Sequence, residues 1–331
     1  KLNDNQNLIF LYSAMSRIAE IPLNDELLKI DPKNLAIPII LNKSTPMKLR
    51  IKAANEAYAN DLITIDSLAA LYQSVDFVSN QFNNYEQTLI NLKDETEMSM
   101  AFHFQYINIQ IFPSERLEAI IKFWNFANNN NLTKLSYALS EKIIQSIEIN
   151  SDNIKYAPEI ATSYIYNNEF LKAEQWLSHY ENNSGIDSKS ANTRILLDLY
   201  SAKDFNNIIE IIDINFNKIA NKQNERNKEL IFVFHNILSE KNDLNFELNF
   251  NSIYDERSVP SIFLTSILNN SVNDKEFNKF LIYSIISLNN KDWLEVHPEH
   301  LTNILKGYLI YHEGKIIKNL LLEIIQNYNV L

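Results

Sequence analysis

A chain of 331 residues is longer than one compact core usually serves, so it holds two domains or an array of repeats. It has 3 glycines where average usage would give about twenty, which argues against sheet-rich folds and nucleotide-binding α/β folds, since hairpins, bulges and phosphate-cradling loops need glycine. The net charge of −11 is spread without a basic block, which argues against nucleic acid; zero cysteines exclude disulfides, thiolate metal sites and cysteine nucleophiles; and no apolar run is long enough for a transmembrane helix.

Taken in order, residues 5–20 are predicted to form an amphipathic helix ending before Pro22. Residues 22–46 hold Pro22, Pro32, Pro38 and Pro46, so this stretch reads as a connector with at most a short helix near 25–30. The chain thus divides into 1–45, an N-terminal helix and proline-rich connector, and 46–331, a run of helical hairpins with soft breaks near 112–114 and 241–257. Ser44-Thr45-Pro46 places a capping hydroxyl before a first-turn proline. The helix behind it carries Leu49, Ala53, Ala54 and Ala57, spaced for close packing, and Thr64 or Asp66 caps the next, with Leu68, Leu71 and Tyr72. Two helices are predicted over 79–111. The second is rich in Met and aromatics (Met98, Met100, Phe102, Phe104, Tyr106), and its alternately β-branched tail, 107–112, is assigned to helix. Pro113 restarts a helix, and another spans 133–147. After a central hairpin over 153–183, helices are expected at 188–202, 204–221, 224–240, 259–269, 274–289, 298–312 and 315–328, with a polar, irregular 241–257. The total is about fifteen, joined by short turns in which the abundant Asn replaces Gly as the left-handed residue. The excess of Asn, Ile and Lys itself reads as the drift of an AT-rich genome.

The central hairpin is the clearest unit. Ala161 and Tyr164 share one face, Asn167 and Asn168 interrupt, and Phe170, Ala173 and Leu177 resume on a second helix. Leu132 to Phe170 is 38 residues and Phe170 to Phe205 is 35, the period of helical-hairpin repeats. On these residues the hairpin resembles a tetratricopeptide repeat. Ala161 matches the small residue of the first helix, Tyr164 the large residue three later, Asn168 the turn, Phe170 the aromatic that opens the second helix, and Ala173 its packing alanine. The chain departs from the pattern at Ala157, Tyr180 and Gly185, where the family has a tryptophan-like residue, an alanine and a proline. A weaker match runs through 195–212, with traces in 301–325 around Gly314. The segment 46–75 is also similar to uncharacterised α-proteobacterial helical proteins, a likeness that implies no activity. The resemblance implies an all-α fold, a right-handed α-solenoid of antiparallel hairpins, and a protein or peptide partner bound on a concave helical surface.

Candidate chemistry is sparse. His297 and His300, with Glu295 and Glu299, have the residue types of a divalent-metal site, but Pro298 starts a helix there, and the spacing lacks the interposed glutamate of a zincin motif. His103 among aromatics is a lone candidate base, and His179, His235 and His312 have no partner in the pattern. Glu95, Glu97 and Glu115 are the candidate acids of a glycan-cleaving enzyme. That alternative, an envelope glycan-binding or glycan-cleaving protein with a superhelical body, lacks the Gly-rich signature of a lysozyme-like lobe. The tyrosines least needed by a core, Tyr156, Tyr166 and Tyr200, together with Asn167, Asn192 and Arg194, are the expected lining of a peptide groove. The pattern therefore points to a non-catalytic interaction scaffold without cofactor. A structural homo-oligomer joined through terminal helices such as 316–325 is the third alternative. The start at Lys1 implies a trimmed N-terminus, and the compartment is left open between bacterial periplasm and cytoplasm.

Overall fold

The structure, a computed structural model, describes residues 6–202, 233, 257, 259–289, 291–311 and 320–324. Sixteen α-helices have both ends within these residues, and none of the described residues is in a β-strand. The chain divides into two compact units, Lys1–Gly185 and Ile186–Leu331. The helix expected at 204–221, the irregular stretch 241–256, His235, His312 and Gly314 lie outside the described residues; of the helices expected at 224–240 and 315–328 only 233 and 320–324 are described, and these are helical.

The first unit begins with α1 (Gln6–Ile18), α2 (Asp25–Ile30), α3 (Pro32–Leu41) and α4 (Met47–Ala59). The proline-rich stretch is thus more helical than its composition implies. Asp31 caps α3, its carboxylate accepting from the Asn34 N–H at 3.2 Å, and Pro32 takes the first helical position, where no N–H is needed. Pro38 lies inside α3; the carbonyl it leaves unmatched belongs to Asn34, an exposed residue that water can reach. Leu35, Ala36 and Ile39 of α3 form one core with Ile9, Leu23, Leu27, Leu28, Ala53 and Ala57. The expected connector is therefore no linker: it shares its core with α4.

The expected Ser44-Thr45 cap is not made. Pro46 is the N-cap of α4 and has no side-chain capping bond. The buried Thr45 hydroxyl instead accepts from the Leu23 N–H at 3.0 Å, and buried Asn42 donates to the Ile21 carbonyl at 2.9 Å. Together they clasp the loop between α1 and α2, whose backbone groups have no regular partner.

Next come α5 (Ile65–Gln73), capped by Thr64, and the short α6 (Ser79–Asn83) and α7 (Tyr85–Asn91). They are followed by α8 (Thr96–Ile109), α9 (Pro113–Asn129), α10 (Thr133–Gln145), α11 (Ala157–Tyr166) and α12 (Phe170–Ser184). The tail over 107–112 divides: helix persists to Ile109, while Gln110 and Phe112 are extended. Sequence neighbours pack as pairs, α3 on α4, α8 on α9, and α11 on α12, and α10 also reaches α5.

Helix-pair turns repeat one geometry. A residue in the left-handed region follows the first helix, and the next N–H closes back on the carbonyl five residues earlier. Asp61 has φ 57° and Leu62 donates to Ala57 at 2.8 Å; Asn131 has φ 59° and Leu132 donates to Ala127 at 2.8 Å; Asn168 has φ 63° and Glu169 donates to Tyr164 at 2.8 Å. This bond consumes a carbonyl that the helix end would leave orphaned.

The second unit contains α13 (Ser188–Ser201), α14 (Ile262–Asn273), α15 (Phe277–Leu288) and α16 (Pro298–Ile310). The α14–α15 turn has the same form, with Lys275 at φ 59° and Glu276 donating to Ser271 at 2.9 Å. Phe280 of α15 is the centre of this core, edge-on to Tyr308 of α16 with ring centroids 5.2 Å apart.

Candidate functional site

The most elaborate side-chain arrangement is built on α8. From Ser99 to Gln105 every residue of this helix is buried, as its nearly all-round apolar sequence requires. Gln105 donates to the Tyr72 and Val75 carbonyls, both at 2.8 Å, which satisfies the end of α5 and locks the two helices together. One turn away, Phe102 meets Phe77, Phe82 and Tyr85 with ring centroids 5.1, 5.2 and 5.7 Å distant.

His103 lies behind this cluster, against Phe123 and Phe126 of α9. Its Nδ1 is 2.7 Å from the Tyr85 hydroxyl, and its buried Nε2 has no hydrogen-bond partner. Burial, reinforced by the Lys122 charge, pushes the imidazole down to about 3, so it is neutral at physiological pH. Burial also pushes the Tyr85 hydroxyl up, with Glu86 acting in the same direction. Neither partner exchanges a proton near neutrality. As a candidate base, His103 is in the wrong protonation range and out of reach of solvent; the pair holds the cluster together.

Above the cluster the surface opens into a depression of about 280 Å³ lined by Tyr106, Gln110, Glu115, Glu118, Ala119 and Lys122. The Tyr106 ring, 4.2 Å from that of Tyr85, connects it to the interior. Lys122 is committed to Glu86 at 3.2 Å and sits 5.0 Å over the Tyr85 ring. Arg116 is turned onto the Gln110 carbonyl, at 2.5 Å from one guanidinium nitrogen. The exposed carboxylates of Glu115 and Glu118 are thus left facing water beside bound cations. At the α8–α9 corner Ile109, Ile111 and Phe112 are 50%, 81% and 61% exposed, a concentration of apolar surface beside an acidic rim.

The six residues expected to line a groove fall into two sets. In the first unit the Tyr166 ring stacks on Tyr137 of α10 at 5.4 Å, and Asn167 donates to the Tyr137 carbonyl at 3.3 Å. Tyr156 is half-buried in a single 3₁₀ turn, with Lys155 4.8 Å above its ring. Asn192, Arg194 and Tyr200 are half-buried on α13 of the second unit, where Tyr200 packs on the core. Of the packing positions, Ala161 and Ala173 are fully buried, Tyr164 is 2% exposed, and Phe170 is half-buried.

The paired histidines serve separate ends. His297 is the N-cap of α16, its Nδ1 accepting from the Glu299 N–H at 3.2 Å. His300 is buried and shares a 3.0 Å hydrogen bond with the Ser287 hydroxyl of α15; burial, then the nearby His297, pushes it down to about 4. Among the described residues no three His, Asp or Glu are grouped to hold a metal ion. Of the candidate acids, Glu115 lines the depression, whereas Glu95 and Glu97 lie at the far end of α8. His179 is exposed on α12.

Gln110, Glu118 and Lys122 carry no signal in the sequence pattern, and Tyr85 reads there only as a packing position of the first helix predicted over 79–111. The density of Met and aromatics over 98–106 marks the place, but only folding brings Tyr85 and Lys122 to it. No protein-family model, curated protein or solved structure matches the chain.

Proposed function

We propose that the chain is a non-catalytic interaction scaffold that binds a protein or peptide segment on its helical surface. The observation that carries this reading is the α8–α9 corner. Exposed Ile109, Ile111 and Phe112 stand beside a depression with Tyr106 in its wall and Glu115 and Glu118 on its rim. Apolar anchors seated by an aromatic wall, with charge at the margin, are the composition of a recognition surface. The favoured ligand is a segment that offers an apolar side chain to Ile109, Ile111 and Phe112 and Lys or Arg to Glu115 and Glu118.

The architecture proposed with it is a right-handed α-solenoid of tetratricopeptide-like hairpins. Its support is the pairwise packing of consecutive helices and the recurrence of one turn geometry at Asp61, Asn131, Asn168 and Lys275.

A peptide library scanned for basic and apolar content, read by fluorescence anisotropy, tests the function. Binding should favour peptides with an apolar residue flanked by Lys or Arg, and Phe112→Asp with Ile111→Asp should weaken it by about tenfold or more. Binding that ignores these substitutions, or no binding by any peptide, rejects the reading.

A further inference from the structure

The N-terminal helix presents the reverse of an ordinary surface helix. Its buried side consists of Ile9, Ser13 and Ser16, each 3% exposed. Leu8, Leu11, Met15 and Ile18, on the opposite face at 3.6 residues per turn, are 50%, 55%, 59% and 81% exposed. The buried Ser13 hydroxyl is satisfied within the helix, donating to the Phe10 carbonyl at 2.8 Å. Tyr12, 40% exposed, borders the outward strip. A helix that turns serine inward and Leu, Met and Ile outward has its main apolar face without a partner among the described residues of this unit.

Three properties of the strip define what covers it. The spacing of Leu8, Leu11, Met15 and Ile18 is three, four, three, the seam spacing by which two helices pack side by side, so the occupant is itself a helix. The 13 residues of α1 include one charged side chain, Arg17, so two copies of the strip meet without the repulsion that a net charge of −11 imposes elsewhere. At roughly 200 Å² for a fully exposed large side chain, the strip with Tyr12 offers on the order of 600 Å², most of the ~800 Å² each partner gives to a stable interface.

We infer that α1 pairs with α1 of a second copy of this chain, making the protein a homodimer through an apolar helix–helix seam. This surface is separate from the α8–α9 corner and stands independently of the ligand proposed there.

Sedimentation velocity of the full chain over a wide concentration range tests it. The expected result is a reversible dimer whose dissociation constant rises by about tenfold or more in Leu11→Lys with Met15→Lys. Because the chain has no cysteine, Leu11→Cys and Met15→Cys supply a second readout that leaves the seam apolar. Mixed and mildly oxidised, they should cross-link two copies, whereas Glu56→Cys on the exposed side of α4 should not. The cross-link decides if the lysine variant loses its helical circular dichroism. A chain that is monomeric at every concentration overturns the proposal, as does a dimer untouched by the lysines and without the cross-link. So does a monomer that sediments with zwitterionic lipid vesicles only while Leu11 and Met15 are intact, since the occupant would then be a membrane surface.

Discussion

The Tyr85 hydroxyl and the Nδ1 of His103 lie 2.7 Å apart inside the aromatic cluster between α7 and α8, and each is the polar contact that makes the other's burial tolerable. Tyr85→Phe removes the hydroxyl and leaves the imidazole buried with neither nitrogen paired, since Nε2 already lacks a partner. The expected loss is about 1–3 kcal/mol, read from urea unfolding. Replacing His103 as well, with Phe, should recover part of that loss, because the orphaned polar group goes with it.

The same imidazole makes stability depend on acid. Its pKa is about 3 in the fold and about 6.5 when the chain is unfolded. Between those values the unfolded chain binds the extra proton, so stability is full above about 6.5 and falls as pH drops toward 3, by up to about 1.4 kcal/mol per pH unit. His300, held at about 4, acts in the same direction over the upper part of that window. Urea midpoints measured from pH 7 to pH 4 should fall steadily, and His103→Phe should flatten the slope. A slope unchanged by that substitution would remove His103 as its source.

Ala161 and Ala173 are both 0% exposed between α11 and α12. Phe at either position forces the two helices apart, and a loss of roughly 1–3 kcal/mol or more is expected in thermal or denaturant unfolding. Ser at either position should cost much less, because the volume change is small.

Gly307 is a glycine in the middle of α16, where alanine would ordinarily add about 1 kcal/mol of helix stability. A Cβ there would run into the ring of Phe280, which is 1% exposed and has no room to retreat. Gly307→Ala should therefore destabilise, by about 1–3 kcal/mol through overpacking. Phe280→Leu should be less harmful combined with Gly307→Ala than alone, a non-additivity that a double-mutant cycle reads directly.

Lys275 holds a left-handed conformation, φ 59°, that costs an L-residue about 1–2 kcal/mol. Glycine adopts it freely but loses more chain entropy on folding. Lys275→Gly should raise the unfolding midpoint modestly, by up to about 1 kcal/mol, whereas Lys275→Val should lower it. A midpoint lowered by Gly would show that the lysine side chain contributes something the turn geometry does not explain.

The helix pattern is legible along the described chain because it is set by spacing that needs no partner. Pro113 and Pro298 start helices where a first-turn proline belongs, Thr64 caps α5, and the Asn167-Asn168 turn separates α11 from α12 where the apolar phase breaks. The departures are equally physical. Pro38 has the look of a breaker, yet α3 carries it because the carbonyl it leaves unmatched belongs to exposed Asn34 while Leu35, Ala36 and Ile39 are held in a core. Thr45 has the look of a cap, because a hydroxyl before proline usually is one, but it is spent on Leu23, a residue 22 positions away.

The sequence by itself determined that the described chain is helical, that α11 and α12 form a short-looped hairpin, and that Ala161 and Ala173 stand where their backbones meet, because glycine scarcity, apolar period and turn residues act locally. Only the tertiary structure decided which polar groups are buried together and which apolar ones are left outside. Tyr85 meets His103 across 18 residues, Lys142 meets Asp66 across 76, and α1 turns its serines inward and its leucines to the surface. Periodicity marks that a helix has an apolar face; which side of the helix faces its own core is fixed by the neighbours it packs against, and those come together only in the fold.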